Sequence, residues 1–393
     1  MLKAGVGWST ASNPRIAASE AVRDALAEAG LERVEGALVF ATTAYGAAFP
    51  LILRTVVSEA HTQEVAGCSS MGIIAGEQEI ESGAALSVLV FGGDAIRAKR
   101  LFVPSLRGRA AEVAAQIGAV VRPVAGRRKL LCLFPDTYNF EPDPMLEALE
   151  RELPGVMMVG GGATEDGSIG ETFQFCGDTV SSNSVAGMLI SGDFDMTVAS
   201  TLACTPIGKP HRVTAVRENV IFTLDDQPAF KVFADAAGPL AADLRRALAF
   251  VFLAIPLDPD SERIERGGYL VRNIMGASEE HGVIAVAHRP SVGDVVGFAL
   301  RDGERAREDL KSMLEGVVGS TASPPAFGLY FDCVSRGSGL YQIPGHDAAY
   351  IRRYLGPLPL GGFFTGFEIG PIEGSAGLLQ YSGVLVLLAD RVA

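Results

Sequence analysis

The chain has 393 residues, 48% of them apolar, with 46 glycines and a formal net charge of −13. That length exceeds one ordinary core, so two or three domains are expected, and the apolar fraction excludes a disordered chain. The negative balance excludes a phosphate-backbone partner, which needs a positive surface; the short run Arg127–Lys129 reads as a solvated strand entry.

In chain order, the first helix is marked by Asn13 as cap, Pro14 in the first turn and Gly30 as terminator, with Ala18, Val22, Ala25, Leu26 and Ala29 on one face. An apolar strand follows at 37–40, then a helix, a turn Ala66-Gly-Cys-Ser-Ser70 and a closing strand 88–94 that ends in Asp94. The same plan returns at 131–134, Gly160-Gly-Gly-Ala-Thr164 and 188–193, with a helix opening at Asp143-Pro144 and stopping at Pro154-Gly155. It returns again at 329–331, Gly361-Gly-Phe-Phe-Thr365 and 384–390, with a helix opening near Asp347 and stopping at Gly356-Pro357. Phe40 pairs with Phe134, and Gly67 with Gly161, at one shared offset of about 94 residues, which marks duplication. Each turn is rich in Gly, Ser and Thr, and such turns bring bare backbone close to a ligand. The three turns are therefore expected to gather around a shared hollow.

Between the second turn and its closing strand, Glu171–Cys176 alternates, Gly177-Asp178 turns, and Ser184–Ser191 returns, which predicts antiparallel pairs beside parallel ones. Thr205–Pro210 is the expected boundary, giving domains 1–207, with repeats at about 1–100 and 125–200, and 208–393, with a third copy at about 325–393. The intervening segment reads as mostly helical from Pro228 to Leu257, with a later helix near Glu304–Leu314. Its apolar run Ala247–Ile255 is far short of a membrane span, and the N-terminus carries no signal-peptide pattern. The fold class expected is α/β with α+β character: mixed parallel and antiparallel sheets, outer helices, internal duplication, and α–β–β–α layering.

Several of these segments resemble the FIST family, a sensory module of paired FIST N and FIST C domains. The N-terminal resemblance rests on Val6–Ser9, Leu38–Phe40 and Ala66–Gly72; the C-terminal one rests on Tyr269–Ile274, Asp332–Gly337, Gly362–Pro371 and Tyr381–Leu385. The resemblance implies binding of a small ligand, amino acids among them, and relay of that signal to attached kinase, cyclase, chemoreceptor or F-box modules; for this chain a separate signalling protein is the expected partner.

Among candidate binding residues, Arg336 stands in Ser335-Arg-Gly-Ser-Gly339 and offers a rigid donor fork to a carboxylate, with the Gly337 backbone beside it. Glu368, in the turn with Thr365 and Gly366, is placed to hold an ammonium group; the alternative is a structural ion pair between Arg336 and Glu368. Arg272 and Asn273 at a strand end, Cys333, Tyr381, and the turn residues Cys68, Ser69 and Ser70 complete the ligand-binding set.

The five cysteines are scattered, none in a C-x-x-C pair, and read as buried thiols in a reducing cytoplasm. His281 and His288 flank one strand and face opposite sides, so no metal is expected, and Gly160–Gly162 lacks a phosphate-loop ending, so no cofactor is expected. The function expected is a cytoplasmic sensor that binds a small polar metabolite, plausibly an amino acid, and is not an enzyme. The alternatives are a hydrolase or transferase using Cys68 or Cys333, and a scaffold binding proteins through a sheet edge. Neither nucleic acid nor membrane is an expected partner.

Overall fold

The computed structural model describes residues 1–260, 263–264, 267–321 and 323–391. They form two compact units. The first comprises Met1–Ser200, Lys311–Leu378 and the chain from Ser382 on; the second comprises Thr201–Leu310 with Leu379–Tyr381.

The first unit contains three copies of one block. Each runs edge strand, helix, strand, helix, strand, hairpin, closing strand. In the first copy the parallel pair is Gly36–Thr42 with Val65–Ser70; in the second, Arg128–Pro135 with Met157–Gly161; in the third, Phe327–Cys333 with Leu360–Thr365. The closing strands Leu86–Gly92, Ser184–Gly192 and Ser382–Asp390 each lie antiparallel beside the first member of the pair. The edge strands Lys3–Ser9, Ile96–Pro104 and Phe194–Leu202 extend the sheets on the far side.

The helix signals act as read. The Asn13 side chain accepts from the backbone N–H groups of Arg15 and Ile16, and Gly30 ends the helix Pro14–Ala29 with a left-handed φ of 53°. The later helices run Pro142–Glu152 and His346–Leu355.

The hairpins leave their own copies. Ile73–Ala75 and Gln78–Ile80, from the first copy, pair onto Leu360–Thr365 of the third. Gln174–Cys176 and Thr179–Ser181, from the second, pair onto Val65–Ser70 of the first. Glu368–Ile372 and Ser375–Leu379, from the third, join Met157–Gly161 of the second. This cyclic exchange builds three six-stranded mixed sheets. The mixed sheets match expectation, and the rings of Phe40, Phe134 and Phe363, one from each of the three, meet between them. Helices pack on the outer faces: Ala18, Val22, Ile52 and Val56 over the first sheet, Val113, Ile117, Leu146 and Leu149 over the second.

The copies meet through equivalent residues. Phe40, Phe134 and Phe331 follow the register positions Val39, Leu133 and Tyr330, which pair with Gly67, Gly160 and Gly362. The repeat thus pairs Gly67 with Gly160, one residue earlier than the Gly161 expected from the shared offset. The ring of Phe40 lies 5.3 Å from Phe134 and 4.7 Å from Phe363, and Phe331 lies 5.9 Å from Phe363. Such aromatic contacts each add about 0.5–1.5 kcal/mol beyond burial.

The second unit interrupts the third copy. It enters after the edge strand Phe194–Leu202 and returns in the helix Gly303–Ser320. The expected boundary at 207/208 therefore falls inside the strand Cys204–Arg217, and the third copy begins with its edge strand at Phe194, not near 325. This unit is an eight-stranded sheet over a core that includes Val213, Phe233, Leu253, Ile284 and Phe298. The stretch expected to be mostly helical from Pro228 to Leu257 is helical at Ala229–Ala237 and Leu244–Phe250, but its end is the strand Val251–Pro256, paired with Tyr269–Arg272 and Val295–Arg301. Its Val-Phe-Leu-Ala-Ile sequence suits a strand buried on both faces. Likewise Ser184–Gly192 does not return beside Gln174–Cys176 but enters the second sheet. No helix among the described residues is long and apolar enough to cross a membrane.

Candidate functional site

The glycine turns do gather, and their polar groups bond to one another. Thr164 Oγ1 donates to the Phe364 carbonyl (2.6 Å) and accepts from Met71 N–H (2.9 Å); Ser69 Oγ reaches Thr164 O (3.1 Å) and Ser70 Oγ reaches Phe364 O (3.2 Å). Gly366 N–H donates to Gly162 O at 3.0 Å. Beneath these interlocked turns sit the phenyl rings of Phe40, Phe134, Phe331 and Phe363. Backbone and hydroxyl groups that were expected to cradle a ligand satisfy one another instead. Cys68, Ser69 and Ser70 are completely buried, and burial pushes the Cys68 thiol well above its ordinary range. A thiolate nucleophile requires the opposite shift.

The chemistry concentrates where the first-copy hairpin meets the third copy. Arg336, 1% exposed, lies just after the strand Phe327–Cys333. Its Nη2 donates to Asp347 Oδ2 (2.6 Å) and to the Tyr341 hydroxyl (2.6 Å), and its Nε donates to Asp347 Oδ2 (3.1 Å). Tyr330 donates to the same carboxylate oxygen (2.7 Å), and His346 Nδ1 lies 3.1 Å from Asp347 Oδ1. The His346 ring stacks between Tyr341 and Tyr350, at 3.8 and 4.6 Å. Asp332 Oδ1 lies 2.8 Å from Arg336 Nε, yet that N–H points at Asp347, so neither Asp332 oxygen accepts a hydrogen bond. Glu79, from the exchanged hairpin, accepts Ala348 N–H on Oε1 (2.6 Å) while its Oε2 has no partner, and Arg336 Nη1 also has none. Glu81 closes the cluster, accepting Ser338 N–H and Oγ–H at 2.9 Å each. The left-handed Gly337 (φ 59°) passes so near Glu81 that a Cβ there would lie 2.7 Å from its Oε2.

The charges respond to this crowding. Burial, then the Asp347 charge, push the Asp332 carboxyl well above the usual range, with Arg336 opposing in part. Burial alone would raise Asp347 too, but the Arg336 guanidinium and the hydrogen bonds from His346 and Tyr330 hold it well below that range. Burial and the Asp347 charge lift Glu79 from its ordinary 4.5 to about 8. Burial lifts Glu368 to about 7 against its hydrogen bonds.

A raised carboxyl keeps, in the folded state, a proton that the unfolded chain has already lost. Stability from Glu79 is therefore complete below about pH 4.5 and lost as pH rises to about 8. Glu79→Gln, whose amide oxygen can keep the Ala348 contact, is expected to flatten this decline. Urea midpoints from pH 5 to 8 check it; one group contributes at most about 1.4 kcal/mol per pH unit. An equal slope in the variant would remove Glu79 as the source.

The residues read from the sequence are dispersed by the fold. Arg336 and Glu368 form no ion pair. Glu368 is wholly buried and fully engaged: Thr365 Oγ1 donates to its Oε1 (2.5 Å), and Ser382 donates through both N–H and hydroxyl to its Oε2. The Glu368 oxygens, expected to hold an ammonium group, are thus engaged within the chain. Cys333 is buried, its carbonyl accepting Arg336 N–H. Arg272, Asn273 and Tyr381 belong to the second unit, where the Tyr381 hydroxyl donates to Asn273 Oδ1 (2.5 Å), the Tyr381 ring lies 4.1 Å from Phe252, and Arg272 Nη1 donates to the Val271 carbonyl.

Asp332, Asp347, Glu79 and Glu81 were missed, yet the repeat itself carries a signal for three of them. Asp332 stands where the sister copies have Ala41 and Pro135, two residues beyond the register positions Val39 and Leu133. The helix face carrying Asp347, Ala348 and Ile351 is Ile52, Leu53 and Val56 in the first copy and Met145, Leu146 and Leu149 in the second. Glu79 occupies the hairpin position of Val180. Two of three equivalent seams are apolar there, so the block does not need these charges in order to fold.

Comparison with known proteins gives a consistent picture. The FIST N domain matches residues 36–227 and the FIST C domain residues 229–371. The uncharacterized protein Rv0628c of Mycobacterium tuberculosis is 29% identical over 393 residues, covering 99% of this chain and 100% of its own. The uncharacterized protein Mb0898c of Mycobacterium bovis is also 29% identical, covering 99% of each chain. A solved cyanuric acid hydrolase from A. caulinodans aligns at a TM-score of 0.29 with 11% identity, over 49% of this chain and 70% of that one, too distant to carry an argument.

Proposed function

The chain belongs to the FIST family of sensory, signal-transducing domains, and we propose on that premise that it is a cytoplasmic receptor for a small polar metabolite of the amino-acid class. The observation that carries the reading is the buried Arg336 Nη1, without a hydrogen-bond partner, beside carboxylate oxygens of Asp332 and Glu79 that also have none. A buried polar group left unsatisfied costs about 1–3 kcal/mol, more when charged, and native structures keep few of them without a use. A ligand carboxylate would satisfy the guanidinium, and a ligand ammonium would satisfy the two acids. Both charges are supplied by a zwitterion.

Glu79 and Glu81 lie on or next to a hairpin shared between two copies, so occupation of the site would shift a structural element as well as a side chain. That coupling is what a sensor needs to inform a separate signalling protein.

Titration calorimetry of the full chain against a panel of amino acids tests this. At least one should bind. Asp332→Asn, which keeps the shape of the side chain but cannot carry its charge beside Arg336, should weaken it tenfold or more. No heat from any member, or equal affinity in Asp332→Asn, would overturn the proposal.

A further inference from the structure

The three exchanged hairpins each present an outer strand at a sheet edge: Gln78–Ile80, Thr179–Ser181 and Ser375–Leu379. An uncovered edge is a template for another strand, so proteins usually protect it. The first two are covered. The helix His346–Leu355 lies against Gln78–Ile80, fastened by Ala348 N–H on Glu79, and the helix Phe49–Glu59 lies against Thr179–Ser181. At the third seam a groove of about 610 Å³ lies between the helix Pro142–Glu152 and Ser375–Leu378, bridged by the Glu150 side chain.

The groove has a definite chemistry. Leu146, Ala376 and Leu378 form an apolar floor, and Asp143, Glu147 and Glu150 line the helix side, with Arg151 as the single cation. Arg151 is turned back on its own helix, its Nε donating to the Glu147 carbonyl at 3.2 Å. The Ala376 backbone N–H points into the groove, where a side chain holds it: Glu150 Oε1 accepts it at 2.5 Å.

We propose that this groove docks a short extended segment of a partner protein, bearing Lys or Arg at alternate positions, which adds as a strand to the Ser375–Leu378 edge. A carbonyl of the incoming strand would take the Ala376 N–H from Glu150, and the released carboxylate, with Glu147 and Asp143, would pair with the basic side chains. Main-chain bonds then supply attachment and the acidic wall selects charge. The net charge of −13 favours encounter with such a segment. The proposal uses none of the residues of the buried cluster and stands independently of the receptor reading.

The test uses the full chain and a fluorescein-labelled peptide of alternating Lys and Val, with a Glu–Val peptide as charge control. Anisotropy should show binding of the Lys–Val peptide that weakens with salt, and a loss of tenfold or more in Glu147→Gln/Glu150→Gln. Glu279→Gln/Glu280→Gln, on another acidic surface, should leave it unchanged. Hydrogen exchange should slow at residues 375–378 when the peptide is bound. Binding indifferent to the groove variant, binding of the Glu–Val peptide equally well, or protection confined elsewhere would each overturn the proposal.

Discussion

Arg336→Met should destabilise the first unit by about 3–5 kcal/mol, the range found when one partner of a buried ion pair is removed. Asp347 and Asp332 would both lose the cation that opposes their burial. The sharper experiment replaces three of the acids with what a sister seam carries and the guanidinium with an apolar chain. Glu79→Val, Asp332→Ala, Arg336→Met and Asp347→Ile together follow Val180, Ala41 and Ile52 at the equivalent places. Apolar replacement of a complete buried ion cluster is often neutral or stabilising by about 1–4 kcal/mol. We therefore expect the fourfold variant to match or exceed the parent in urea midpoint while losing all amino-acid binding. Failure of the fourfold variant to fold would show that the cluster is there to hold the seam together, and the receptor reading would lose its site.

Alanine at Gly67, Gly160 or Gly362 should be comparably severe, each substitution costing more than about 4 kcal/mol, at the far end of single-substitution effects. At all three positions a Cβ would project into the neighbouring parallel strand, 1.8 Å from Val39 O, 2.0 Å from Leu133 O and 1.8 Å from Tyr330 O. Real Cβ atoms essentially never approach within 3.0 Å, and a strand carbonyl fixed in its ladder cannot step aside. Gly67 and Gly160 also sit at φ of 159° and 134°, the second well inside the region that favours glycine. The control is Gly316→Ala on the exposed side of the helix Gly303–Ser320, where nothing lies within 4 Å of the new methyl group. That change should stabilise by about 0.5–1 kcal/mol through helix propensity. Soluble yield and thermal melts of the four variants decide the matter. One of the three turn variants behaving like Gly316→Ala would break the equivalence of the copies.

The threefold repeat was legible because it is written in local chemistry. Asn13, Pro14 and Gly30 mark a helix wherever its neighbours go, and an apolar strand followed by a glycine turn is recognisable in each copy. The one-residue slip between Gly161 and Gly160 arose where local pattern is weakest. Three successive glycines offer no side chain to distinguish them, and only the pairing of Leu133 with Gly160 sets the register.

The domain boundary expected at Thr205–Pro210 falls inside a strand for a related reason. Thr205–Pro210 has the composition of a linker, but in the folded chain it lies within the strand Cys204–Arg217, which pairs with Val295–Arg301. Pairing partners nearly a hundred residues away decide that, and no local preference records them.

The site shows the same division. A guanidinium beside Gly337 at the end of an apolar strand was visible as a functional residue, but its partners were not. Glu368, close along the chain to the third glycine turn, looked like the natural counter-ion and proved to be occupied by Thr365 and Ser382. Glu79 comes from a hairpin more than two hundred residues earlier, delivered by the exchange between copies.

Helix ends, turn glycines and the recurrence of the block follow from the residues alone, since caps, left-handed φ values and apolar periodicity act within a few positions. Which hairpin joins which sheet, how four phenyl rings come to pack together, and which acids surround Arg336 depend on contacts between distant segments. Those contacts form only when the copies close on one another, because desolvation and long-range pairing are properties of the assembled core rather than of any stretch of chain.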